Sequence, residues 1–111
     1  MQPIRKPTEK ELKLLELLIG RAGDFNLPQD WKDNLLVQTM EDGGMGSLLL
    51  FPYGTVKEGR LFGEQVSRFQ FRDADGIDVI VSLFVDKGGQ LFEIDSWKTN
   101  FSPLISVPDN I

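Results

Sequence analysis

The stretch DADGIDVIVSLFVDKGGQLFEIDSW, residues 73–97, limits what this chain can fold into more than any other segment. Ile77, Val79, Val81, Leu83 and Val85 fall on one side of a period-two pattern, with Asp78, Ile80, Ser82, Phe84 and Asp86 on the other. Such alternation is the mark of a β-strand with one face buried. Short turns flank it. DADG brings two acids and, in Gly76, a residue at ease with positive φ; DKGG closes the other end. Connections this short make the strand pair antiparallel with its neighbours, which the pattern places at 64–72 and 90–97.

Two further strands precede these. LLVQTM (35–40) and SLLLF (47–51) are joined by the glycine-rich turn EDGGMG (41–46), and Pro52 ends the second. Residues 53–63 read as a long loop whose glycines suggest mobility. Before the strands, residues 1–7 form an extended arm punctuated by Pro3 and Pro7. Thr8 is then an N-cap, and Glu11 completes a T-x-x-E capping box. Leu12, Leu15 and Ile19 recur at helical spacing, widened by Leu14 and Leu18, up to a stop at Gly20. Glu9, Lys10, Lys13 and Glu16 form the wet side. In the mixed stretch that follows, PQDWKDN suits one short helical turn, pinned by Trp31. The sum is α+β in one domain, residues 1–111: an N-terminal helix packed on an antiparallel meander sheet of about five strands. The leucine stripe is expected to cover the face that carries Val79, Val81 and Leu83. At 111 residues the fold buries roughly two thirds of the surface its unfolded chain exposes.

The other face raises the main question, because Ile80 and Phe84 are apolar there too. Strict alternation along 90–97 sends Phe92 and Ile94 one way and Leu91, Glu93, Asp95 and Trp97 the other. Two carboxylates would then share a face with two large apolar groups. The 53–63 loop, the tail SPLISVPDNI, a second chain or a curl of the sheet could cover such a face.

Composition removes several chemistries. With no cysteine and no histidine, disulfides, Cys/His zinc sites and Ser-His-Asp catalysis are excluded. A net charge of −5 disfavours nucleic acid and anionic membranes as partners and suits a basic protein surface. No apolar run approaches the roughly 20 residues that span a bilayer, and MQPIRKPTEKE lacks the apolar core of a signal peptide. These features fit a cytoplasmic chain.

Four groups of residues invite a chemical reading. EDGGMGS resembles a phosphate cradle only in its glycines; strands flank it, no GK[ST] follows, and a hairpin turn explains it better. Met45 at its tip is either an exposed contact or a plug for the core. Asp73, Asp75 and Asp78 alternate as calcium ligands do, but the glycine and the closing glutamate of that loop are misplaced. Glu93 and Asp95 sit about 7 Å apart on one strand face, close enough for acid–base work. Structural pairing with Arg68, Arg72 or Lys98 is the plainer reading, and a partner-binding patch the next. Tyr53, Trp97, Phe101 and Met45 suit an exposed binding cluster, though burial in the core is the ordinary fate of Trp97 and Phe101. Ser47, Ser67, Ser82 and Thr99 have no activating base near them in sequence.

IRKPTEKE at the start, DGGMGS at 42–47, D-x-D-G at 73–76 and LFEIDSWKTNFSPL at 91–104 together make the chain similar to an uncharacterised bacterial family, a domain of unknown function of about this length. The resemblance implies a bacterial cytoplasmic protein. It brings no activity, cofactor, metal or catalytic residue to carry over. Some small acidic domains act as immunity proteins against toxins, and that analogy remains open here.

The leading expectation is a non-enzymatic domain that binds a protein through a patch of Glu93, Asp95, Trp97 and Lys98, with Asp42 and Met45 adjacent. The partner would be a basic protein or a second copy of the chain. One alternative is a small hydrolase using the carboxylates, or a cation held by Asp73, Asp75 and Asp78. Another is a small-ligand binder with a cavity lined by Phe69, Phe71 and Phe84.

Overall fold

The structure, a computed structural model, describes residues 2–23 and 27–109. In chain order its elements are β1 (Ile4–Arg5), α1 (Glu9–Arg21), α2 (Trp31–Asn34), β2 (Leu36–Thr39), β3 (Leu48–Phe51), β4 (Phe62–Arg72), β5 (Asp78–Asp86) and β6 (Leu91–Lys98). Among the described residues no helix is long and apolar enough to cross a membrane.

The start of α1 follows from its first four residues. Thr8 Oγ1 accepts from the Glu11 amide at 3.2 Å, and Glu11 accepts from the Thr8 amide at 2.8 Å, so two donors that a helix end leaves unpaired are satisfied. Glu11 also holds the Arg5 guanidinium at 2.8 and 2.9 Å, which ties the N-terminal arm down. That arm is more than a loose extension: Ile4 and Arg5 pair with Gln38 and Val37 as an edge strand. Leu14, Leu15 and Leu18 of α1 are buried against Val79, Val81, Leu83, Leu50 and Ile94. Burying one leucine completely stabilises by about 1.5–3 kcal/mol. Trp31 of α2 packs on the same cluster.

Among the described residues six strands form one antiparallel sheet in the order β1-β2-β3-β6-β5-β4. It consists of two three-stranded meanders set side by side, so the chain crosses from β3 to the far edge before β4 begins. The seam between β3 and β6 is short, with Leu48 opposite Ile94 and Leu49 opposite Glu93. Arg60, from the crossing segment, extends it. Its Nη1 donates to the Leu50 carbonyl at 2.7 Å, its Nη2 to the Leu91 carbonyl, and its Nε to Asp86 at 2.9 Å.

β5 behaves as its alternation predicts: Val79, Val81, Leu83 and Val85 are buried, the first three in the core cluster with the α1 leucines, and the residues between them are half-exposed. β6 departs from strict alternation. Phe84 faces Glu93 and Val85 faces Leu91, so Phe92 is the extra residue of a bulge. The bulge turns both Leu91 and Ile94 into the core. Leu91 therefore leaves the face shared by Glu93, Asp95 and Trp97, on which regular alternation had put it.

Of the covers considered for the second face, the tail does not serve as one. Leu104 and Val107 pack on the helix-side core, and Asp109 pairs with Lys10 of α1 at 3.2 Å. The tail thus seals the helix side; its last two residues lie outside the described residues. The 53–63 segment meets the opposite face at one end, through Arg60 over the Phe92 ring and Phe62 against Phe84.

Candidate functional site

Two constellations gather the polar residues singled out above, one on each side of the sheet. The first sits at the end of the sheet where β6 finishes. Lys98 is only 1% exposed, and it points to the helix side, away from Glu93, Asp95 and Trp97. Its Nζ donates to Asp73 at 2.8 Å, to Asp75 at 2.7 Å and to the Pro103 carbonyl at 3.2 Å. Asp73 also accepts from the amides of Ala74, Ile105 and Ser106. Burial by itself raises the Asp73 carboxyl; Lys98 and those three amides outweigh it and hold the group well below the usual carboxylate range. For Lys98, burial works against the charge, and the two carboxylates more than restore it. The turn DADG, the end of β6 and the tail are therefore one ionic latch.

The glycine turn docks on that latch. Asp42 accepts from the amides of Met45 and Ser47, both at 3.0 Å, and so organises its own loop. Met45 folds inward, and its Sδ accepts from the Lys98 amide at 3.5 Å. Gly46 has φ +92, a conformation that side chains rarely adopt, so the backbone here requires glycine; the end of the Leu104 side chain packs over it. Asp42 and Met45 are thus adjacent to the end of β6, but both are committed to holding the structure together.

This latch disposes of the cation reading for Asp73, Asp75 and Asp78. The ammonium of Lys98 stands between the first two, and Asp78 lies on the other face, 3.8 Å from Arg72. Nor do three phenylalanines line one cavity. Phe69 and Phe71 pack on the helix side with rings 6.5 Å apart, while Phe84 faces the other way against Phe62 at 4.9 Å.

The second constellation occupies the open face. Cross-strand partners share a face, so the register defines its rows. Glu93, Phe84 and Gln65 make one row; Asp95, Ser82 and Arg68 the next; Trp97, Ile80 and Gln70 a third. Trp97 is 39% exposed and Phe101 70%, with their rings 5.8 Å apart; neither belongs to the core. Tyr53 is exposed too, but it follows β3 at the opposite end of the sheet and does not join them. Among the described residues Glu93 and Asp95 form no ion pair. β5 stands between Asp95 and Arg68, Arg72 turns to Asp78, and Lys98 is on the far side. Glu93 is half-buried, and burial followed by the charge of Asp95 raises its carboxyl.

Three of the motifs behind the family resemblance converge here: Asp73, Lys98 and Pro103 form the latch and Met45 of DGGMGS rests on the Lys98 amide, while IRKPTEKE caps α1. A family model, the domain of unknown function DUF6984, matches residues 4–108. The chain belongs to the DUF6984 family. No curated protein and no solved structure matches it. The DUF6984 match runs from β1 through the latch to the tail, so it takes in both constellations.

Sequence reasoning missed Arg60 and the role of Asp73. Arg60 stands in a loop with nothing local to announce its burial. The D-x-D-G turn held Asp73 in plain view, but its partner lies 25 residues away.

Proposed function

We propose that this DUF6984 chain is a protein-binding domain and that the open sheet face is its contact surface. The single observation that carries this reading is the contrast between the two faces. One is sealed by α1 and the tail. The other presents Trp97 and Phe101 beside two carboxylates that no cation of the described chain neutralises. Aromatic groups at the centre of a patch are typical binding anchors, and unpaired carboxylates call for a partner with basic side chains.

The hydrolase alternative finds less support, because Asp73 and Asp75 are occupied by Lys98, and Glu93 and Asp95 lie on a sheet surface.

The test places the photo-crosslinker p-benzoylphenylalanine at Phe101 and, as a control, at Lys13 on the outer side of α1, in the native host. Adducts are expected from position 101 and not from position 13, and Asp95→Arg should remove them. Equal labelling from both positions, or none from 101, would overturn the reading.

A further inference from the structure

We infer that the open face pairs with a second copy of the same chain, β5 lying over β5, so that Asp95 of each copy meets Arg68 of the other. This rests on the open face being a docking surface, and it adds which partner fits. The register supplies the reason. Asp95 and Arg68 flank Ser82 in one row, on opposite sides of β5. Ser82 stands at the middle of that strand. A twofold axis along β5, midway between two stacked sheets, exchanges the strand on its left with the strand on its right. It therefore sets β6 of one copy over β4 of the other, and each Asp95 over an Arg68.

The neighbouring rows agree. Ile80 and Phe84 lie on the axis and meet their own counterparts, which gives an apolar spine. Trp97 comes over Gln70, and Glu93 over Gln65, whose amide can donate to it. Phe101, beyond the end of β6, falls near Arg72, which is well exposed and offers a cation to the Trp97–Phe101 pair. The other twofold through Ser82, running across the strands, sets Asp95 on Asp95 and Arg68 on Arg68. Like charges so placed repel, and the face thus selects one orientation.

The overlap is modest. About this axis only β6, β5 and β4 of the two copies lie over one another, because β4 is the edge of the sheet. Three strands about 4.8 Å apart and about 25–35 Å long present roughly 430 Å² from each copy. Stable interfaces use about 800 Å² from each partner, so the pairing belongs to the weak, reversible class. Stacked sheets lie about 10 Å apart with strands nearly aligned, which an aspartate and an arginine together can bridge.

Light scattering after size exclusion tests the pairing on the intact chain. Loaded at high concentration, the wild type should approach twice its 12.5 kDa mass, and the paired fraction should fall on dilution. Asp95→Arg alone and Arg68→Asp alone should each be monomeric, since each sets like charges in register. Mixing the two variants one to one should restore a dimer, because one copy then carries only positive and the other only negative groups at these positions. Recovery on mixing also shows that both variants are folded. A wild type that stays monomeric at every concentration up to its solubility limit overturns the self-pairing; so does pairing that survives either charge reversal, or a mixture that stays monomeric. A monomer that still crosslinks from Phe101 to a different protein would leave the open-face reading standing and remove only the twin.

Discussion

Phe101 is held against its own backbone preference. Its φ is +61, in the left-handed region, and most of its ring is in water. A bulky residue pays about 1–2 kcal/mol for that conformation, and exposure returns little of it. The Lys98 carbonyl accepts from the Phe101 amide at 2.8 Å, so the turn would form equally well with asparagine there. Phe101→Asn is expected to leave stability unchanged to within about 1 kcal/mol, because relief of strain offsets the lost ring contact with Trp97. Urea unfolding checks this; a loss well beyond that range would make the ring a structural group. Lys98 is the opposite case. Lys98→Met would leave Asp73 charged, buried and without its cation. Its thermal midpoint should fall far more than that of Lys13→Met, and proteolysis should begin cutting in the freed tail after Pro103. Equal midpoints for the two variants would contradict the latch.

At the scale of elements, α1 is fastened at both its cap and its face. Thr8→Ala removes the side chain that accepts from Glu11, and should cost about 1 kcal/mol in a denaturant melt. Leu18→Ala empties a fully buried site between helix and sheet, and should cost about 2–5 kcal/mol by the same measurement. A smaller loss for Leu18 than for Thr8 would mean that the helix does not carry the core. The strands show where sequence is a reliable guide. β5 was legible because its side chains alternate with no interruption and its turns are short, both local properties. β6 was legible as a strand but not in its facing. The bulge at Phe92 arises from the β5–β6 register, and no local signal marks it. The two-residue β1 is visible only as the partner of β2.

The molecule as a whole should be acid-labile. Folding lowers the carboxyls of Asp73, Asp75, Asp86 and Glu11 below their ordinary values through Lys98, Arg60, Arg5 and backbone amides. Between the folded and unfolded values the unfolded chain binds more protons, so stability rises with pH there. The contribution is complete above the ordinary carboxylate range near pH 4 and is lost as pH falls through the folded values. Glu93 acts in the opposite sense: its raised carboxyl disfavours the folded state once ionised. A series of thermal melts from neutral to strongly acidic pH should therefore fall steeply below about pH 4, and Glu93→Gln should raise the midpoint slightly at neutral pH. A flat profile would contradict the ionic latch.

The local grammar of the chain was enough to set the elements. A capping box, a leucine stripe, an uninterrupted alternation and three glycine turns each act over a few residues, where backbone sterics and side-chain period decide the outcome. Composition was enough to remove cysteine and histidine chemistry. What the tertiary structure alone decided is which polar residues meet. Lys98 was expected beside Glu93 and Asp95, but strand geometry puts residues an odd number of positions apart on opposite faces, and Asp73 and Asp75 wait on its side. Trp97 and Phe101 were open to either fate, and they are exposed because α1 and the tail share one face and leave the other free. Burial and pairing depend on contacts between segments far apart in the chain, so the division between a latch and an open face is settled only when the sheet closes.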